Sequence, residues 1–289
     1  MFRFALAITG ALIAGSAHAA TYTTTASANA ASGPFCGFGT PDSASGTNVT
    51  SSAGFSTNDL NCSADGEAVA GAGYVAATST ATASGRSDGI GTSGAARADA
   101  GGSFGVSGLT FSIADGFSED DLDAALGPSG LVSATVFVGF SGSLIETSMA
   151  AASAGARVFW DGIKVIDVPL VDAGVYDLTF SATRTLLWDR PFSLDFLLNT
   201  SASTSPVLPD GFTATATSAF GSTLSFRTGG PVFSLPDVLT INAPEIGIVN
   251  NRWIDPRIPD PVDPVPLPAS SLLLIAGIAG FAAVGRRKA

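Results

Sequence analysis

The chain has 289 residues, 46% of them hydrophobic and 13% charged, and its 24 acidic residues outnumber 13 Lys and Arg for a net charge of −11. So apolar a composition, with Phe spread along the length, argues against a disordered chain. The acidic balance removes the main source of affinity for nucleic acid, the neutralisation of phosphates.

Residues 1–19 read as a signal peptide. Arg3 supplies the positive start, Ala5–Ala14 the apolar core, and Ala17 and Ala19 the small-x-small pattern that places the cut after Ala19. Such a stretch is too short to span a bilayer stably. Its readers are the Sec machinery and signal peptidase. Between this leader and the C-terminal tail, nine basic residues face all 24 acidic ones, a net charge of −15.

Residues 20–250 are assigned to one β domain, a length sufficient for it. Positions 21–110 are rich in Ala, Ser, Thr and Gly, and the expectation is of strands joined by long, loosely specified loops. Thr78–Ser84 reads as a strand with small residues on both faces, and Gly101-Gly102 as a turn. Cys36 and Cys62 are the only cysteines. In an oxidising compartment they form one disulfide. If unstrained it stabilises by about 3 kcal/mol. Two unpaired thiols are the alternative.

Ser118 followed by Glu119-Asp120-Asp121 marks a helix start, because a hydroxyl caps the first turn and acids suit its positive end. Leu122, Ala125 and Leu126 are expected to face the core, and Gly127-Pro128 to stop the helix. The cluster Glu119–Asp123 is also a candidate Ca²⁺ site, although it lacks the Gly and terminal Glu of an EF-hand loop.

From Leu131 alternation strengthens. Val132, Ala134, Val136 and Val138 share one face, and Asp161-Gly162 between two β runs predicts a hairpin with a type I′ turn. Tyr176, Leu178 and Phe180 alternate, as do Phe192, Leu194, Phe196 and Leu198. A strand over Phe212–Phe226 breaks at Gly221, and Val238–Ile241 and Ile246–Val249 are expected as short final strands. The fold class expected is all-β: an antiparallel β-sandwich, jelly-roll-like, with one short helix, plus an N-terminal signal helix and a C-terminal transmembrane helix.

Residues 251–265 form a Pro-rich spacer, stiff and extended. The tail, 266–289, carries a transmembrane segment at about 270–285, whose unbroken apolar run is Leu272–Val284. As a helix that run is roughly 20 Å long, short of the ~30 Å hydrocarbon core. Arg286, Arg287 and Lys288 form a basic stop that favours the cytoplasmic side.

Val265-Pro266-Leu267-Pro268-Ala269, a short hydrophobic segment and a terminal Arg-Arg-Lys together resemble the PEP-CTERM family of sorting signals, in its VPLPA variety. Members occur in Gram-negative bacteria, often ones that make exopolysaccharide. The resemblance implies that an exosortase, a multi-pass membrane cysteine transpeptidase, recognises the tail. It covers about 25 residues and departs from the commonest form in having Leu267 where Glu usually stands, which leaves the sortase variant open. Val136–Ile166, Arg190-Pro191-Phe192-Ser193-Leu194 and Ala219–Leu224 are more weakly similar to bodies of such proteins.

His18 is the only histidine and leaves with the signal peptide, so a mature chain builds no Ser-His-Asp triad, Cys-His pair or usual zinc site. There is no Walker A loop, and Gly37-Phe38-Gly39 lacks the strand–helix setting of a cofactor loop. No cofactor is expected. Glu67, Glu119, Glu146 and Glu245 are not paired in sequence as a glycosidase requires. Trp160, Trp188, Trp253, Tyr74 and Tyr176 are candidates for a sugar-stacking platform or for core and rim packing. The leading expectation is a non-enzymatic envelope or matrix protein, held in the inner membrane by its tail before processing and then at the cell surface or outside. The alternative is a carbohydrate-binding β-sandwich, with Ca²⁺ as a candidate stabiliser, that associates with exopolysaccharide.

Overall fold

The computed structural model describes residues 20–32, 42–46, 49–57, 62–84, 95–205, 208 and 211–258. The proposed signal peptide, most of the spacer and the sorting tail lie outside these residues. The first strands are β1 (Thr21–Ser32), β2 (Asp42–Gly46), β3 (Val49–Thr57), β4 (Cys62–Gly71), β5 (Tyr74–Ser84), β6 (Ala96–Leu109) and β7 (Phe111–Ile113). A helix, α1 (Glu119–Leu126), leads to β8 (Leu131–Glu146), β9 (Ala150–Trp160), β10 (Ile163–Leu170), β11 (Gly174–Leu187), β12 (Phe192–Thr204) and β13 (Thr213–Phe226). Four short strands follow: β14 (Phe233–Ser234), β15 (Leu239–Ile241), β16 (Ile248–Val249) and β17 (Arg252–Trp253).

The fold is all-β and antiparallel. One sheet has the order β10-β9-β12-β6-β1-β2, the other β11-β8-β13-β5-β4-β3, with β14 added beside β8. Their apolar faces meet. Along β12, Phe192, Leu194, Phe196 and Leu198 are buried while the residues between them are not, as a period of two on a half-covered sheet requires. Phe196 of one sheet lies edge-on to Phe226 of the other, with ring centroids 4.9 Å apart.

The core is graded along the strands. At one end Ala98, Ala202 and Ala152 lie side by side on β6, β12 and β9, and Ala83 and Ala81 lie opposite Ala214 and Ala216 on the other sheet. Here the short side chains of facing sheets reach each other: Ser79 and Thr200 hydroxyls are 2.8 Å apart, and Thr200 also donates to the Ala100 carbonyl at 3.1 Å. These bonds satisfy buried hydroxyls that would otherwise cost stability. At the other end, Phe104, Phe196, Phe226, Phe192, Phe233 and Trp160 fill the space.

One expectation for residues 21–110 changes. The expected strands make up most of the described part of this region, only Ala72 and Gly73 separate β4 from β5, and residues 33–41 and 85–94, where longer connections were expected, lie outside the described residues. Gly101-Gly102 is not a turn but lies within β6, between β1 and β12. A Cβ on Gly101 would stand 2.6 Å from Asn199 Oδ1 and 2.8 Å from the Leu198 carbonyl, and one on Gly102 would stand 2.7 Å from the Thr25 carbonyl. The pair serves close approach of neighbouring strands, the other use of glycine in a sheet.

The Asp161-Gly162 hairpin is found as expected: Asp161 has φ 50° and Gly162 φ 72°, and Trp160 pairs with Ile163. The break in β13 is a register shift between Ala219 and Thr223. Of the expected strand Ile246–Val249, only Ile248–Val249 is extended; Pro244–Ile246 forms a 3-10 turn, with the proline at its start where no N–H is needed. The body also runs further than residue 250. Trp253 is 5% exposed, its indole donates to the Ile246 carbonyl at 3.2 Å, and the compact unit closes at Asp255. Residues 251–255 therefore belong to the body and not to the spacer, because Trp253 is needed in the core.

Helix α1 begins with a capping box: Ser118 Oγ accepts from the Asp121 backbone N–H at 3.2 Å, and Asp121 Oδ2 accepts from the Ser118 N–H at 2.9 Å. Leu122 is buried and Leu126 half-buried, but Ala125 is exposed, because so short a helix lays only a narrow stripe on the body. Ser118→Ala is expected to destabilise the helix by about 1 kcal/mol. Hydrogen exchange should then quicken at the amides of 119–126 and stay unchanged in β12.

Candidate functional site

The residues expected to form the sorting motif, Val265, Pro266, Leu267, Pro268 and Ala269, those expected to form the basic stop, Arg286, Arg287 and Lys288, and Cys36 lie outside the described residues. Cys62 is described: it opens β4, is 1% exposed and is disulfide-bonded. Among the described residues no helix is long and apolar enough to cross a membrane.

The aromatic candidates divide. Trp160 and Trp253 are core residues, Trp160 packing on Phe192 at 5.4 Å and Trp253 on Phe226 at 6.2 Å, so neither offers a face for stacking. Tyr74, Tyr176 and Trp188 are half-buried, and Tyr176 donates to the Asp172 carbonyl. The glutamates are dispersed: Glu119 starts α1, Glu245 sits in the 3-10 turn, and Glu146 Oε1 accepts from the Ala152 amide at 2.6 Å. In the cluster Glu119–Asp123, Asp121 is committed to the cap, and no group of three or more potential ligand side chains suited to a metal occurs among the described residues.

Two hollows remain. The first, about 320 Å³, lies on β3, β4 and β5 and is lined by Ser52, Gly54, Asp65, Glu67, Thr78 and Thr80. Register sets Ser52, Glu67 and Thr78 in one row and Gly54, Asp65 and Thr80 in the next. Glycine at 54 makes the room, since a Cβ there would stand 2.4 Å from Asp65 Oδ1. Such a surface can exchange hydrogen bonds with a polyhydroxylated ligand.

The second hollow, about 340 Å³, is formed where β11 passes through a tight turn into β12, against the β9–β10 hairpin. Its wall includes Asp161, Arg184, Thr185, Leu187, Arg190 and Phe192. Asp161 ties the parts together. Its Oδ1 accepts from the Ser193 amide at 2.8 Å, its own amide donates to the Ser193 carbonyl at 3.0 Å, and its Oδ2 meets Arg184 Nη1 at 3.3 Å. Arg184 Nη1 also donates to the Trp160 carbonyl at 2.7 Å. Arg184 was missed in the sequence. Its signal was an Arg on the inward, otherwise apolar register of Tyr176, Leu178, Phe180, Ala182 and Leu186.

On the outer face of β9 and β10, Lys164 and Arg157 hold the Asp167 carboxyl below its ordinary range, the Lys164 hydrogen bond contributing most. A depressed folded pKa gives stabilisation that is present above the unfolded pKa and lost as pH falls through the folded one. Asp167→Asn should therefore reduce stability at neutral pH, by an amount that shrinks as pH falls below the ordinary aspartate pKa of 3.8. Denaturant midpoints across an acid-to-neutral pH series check this.

Comparison with protein-family models, with curated proteins and with solved structures finds no match to this chain.

Proposed function

We propose that the chain is an exported, non-enzymatic protein of the bacterial envelope, delivered by a Sec-type leader and sorted by an exosortase-type transpeptidase acting at the C-terminal tail. The carrying observation is the three-part order at the C-terminus: Val265–Ala269, the apolar run Leu272–Val284, then Arg286, Arg287 and Lys288. The leader at residues 1–19 supports it from the other end. The tail would hold the protein in the inner membrane until processing places it at the cell surface or outside. Localising a tagged chain in cells with and without the sortase tests this reading; identical fractionation in both would reject it.

We infer for the body a jelly roll. Strands β6-β12-β9-β10 and β5-β13-β8-β11 form its two halves, and each successive pair β5/β6, β8/β9, β10/β11 and β12/β13 is divided between them. Strands β1 to β4 extend both sheets at one side. The Cys36–Cys62 disulfide belongs to the same reading. Thiol labelling of unreduced, purified protein is expected to modify neither cysteine, and two labels per chain would reject the bond.

A second reading, that the body binds exopolysaccharide, is favoured by the two polar hollows on a β scaffold, one of them lined with hydroxyls and carboxylates.

A further inference from the structure

We propose that the hollow between the β11–β12 turn and the β9–β10 hairpin binds the carboxylate of an acidic saccharide. This rests on the carbohydrate-binding reading and gives it a site and a charge class.

Most cations of the described body are already neutralised or engaged. Arg97 pairs with Asp99 at 2.8 Å, Arg157 and Lys164 both pair with Asp167, and Arg227 lies over the Phe137 ring. The hollow has two arginines in its wall, Arg184 and Arg190. Arg184 spends only Nη1 on the protein, on the Trp160 carbonyl and Asp161, leaving Nε and Nη2 without a hydrogen-bond partner among the described residues. Arg190 has no side-chain partner among the described residues, and its backbone amide is fixed to the Leu187 carbonyl at 3.3 Å. The single acid on the wall, Asp161, is occupied by Arg184 and by the Ser193 amide.

A planar guanidinium with its donors unspent matches a carboxylate in a bidentate pair. In a chain this acidic, an anion is repelled everywhere except where positive charge is gathered, so the hollow is selective by contrast with its surroundings. Thr185 and the turn backbone supply polar wall, and a cavity of about 340 Å³ holds one or two sugar rings and not a longer segment. The favoured ligand is a uronic acid unit within a polysaccharide. An acidic protein segment is the competing class, but a protein partner wants a buried apolar anchor pocket, and the Phe192 side chain here is already buried in the core.

The test is calorimetric titration of purified full-length protein with trigalacturonate, with uncharged galactotriose, with a tri-glutamate peptide and with inorganic sulfate. Trigalacturonate is expected to bind most tightly, and more weakly as salt rises. Arg190→Ala, at an exposed position with no side-chain partner, should leave the melting temperature unchanged and weaken that binding by about tenfold or more. Equal affinity for trigalacturonate and galactotriose, or Arg190→Ala binding like wild type, overturns the site while leaving carbohydrate binding standing. Tighter binding of tri-glutamate or of sulfate overturns the saccharide assignment. Binding of neither sugar overturns both this inference and the reading beneath it.

Discussion

Phe226→Ala is expected to destabilise the body by about 3–5 kcal/mol. Phe226 is 0% exposed at the aromatic end of the core. Its ring meets Phe196 at 4.9 Å and Phe104 at 6.1 Å across the inter-sheet space, and Trp253 at 6.2 Å. Truncation therefore removes packing from both sheets and from the closing segment at once. Little can collapse into the gap, because the backbone there is pinned: the Phe226 amide donates to the Gly73 carbonyl at 3.1 Å, and Gly73 itself has φ 79°. The companion change Gly73→Ala acts on the same spot from the opposite direction. It forces a side chain into the left-handed region and brings its Cβ to 2.4 Å from Trp253 Nε1 and 2.9 Å from Phe226 Cδ2. For a body of this size the loss at Phe226 is a fall in melting temperature on the order of 10 °C. A fall of under 2 °C would mean that the two sheets do not share this core.

Period-two patterning located β8, β11 and β12 because their inward residues are mostly large and apolar: Phe192 to Leu198 on β12 leaves no alternative register without exposing four bulky side chains. The Asp161-Gly162 turn was legible for a stereochemical reason, positive φ at both positions. The N-terminal half was harder to read because its core is alanine. Ala64, Ala68, Ala81 and Ala83 are fully buried, yet they contrast weakly in sequence with the Ser and Thr between them. Gly101-Gly102 misled for a related reason, since glycine punctuates turns and also admits close neighbours, and only the flanking strands distinguish the two uses. Trp253 lay beyond the last clear alternation, so the sequence pattern ended before the core did. At the arginine hollow, Asp161 was visible as a turn residue but not as the clasp between hairpin and strand, because its partners Arg184 and Ser193 are 23 and 32 positions away.

On the proposed sorting reading, removing Arg286, Arg287 and Lys288 together is expected to release the protein unprocessed. Each such charge costs about 2.5–3.5 kcal/mol to place at the centre of a bilayer. On that reading the three together would resist outward passage of a tail whose 13-residue apolar run, Leu272–Val284, is short for an anchor. With Ser at all three positions the tail slips through and unprocessed protein appears outside the cell. Substituting Pro266 and Pro268 has the opposite signature, because the anchor and its stop are intact while the neck presented to the transpeptidase is changed: the chain stays membrane-bound and uncut. The segment between Asp255, where the body closes, and Val265 contains Pro256, Pro259, Pro261 and Pro264. Mass spectrometry of the mature wild-type protein decides the matter. A C-terminus within or next to Val265–Ala269, or an adduct there, is the expected result, and an intact terminus at Ala289 would make the tail a permanent anchor and reject sorting by exchange.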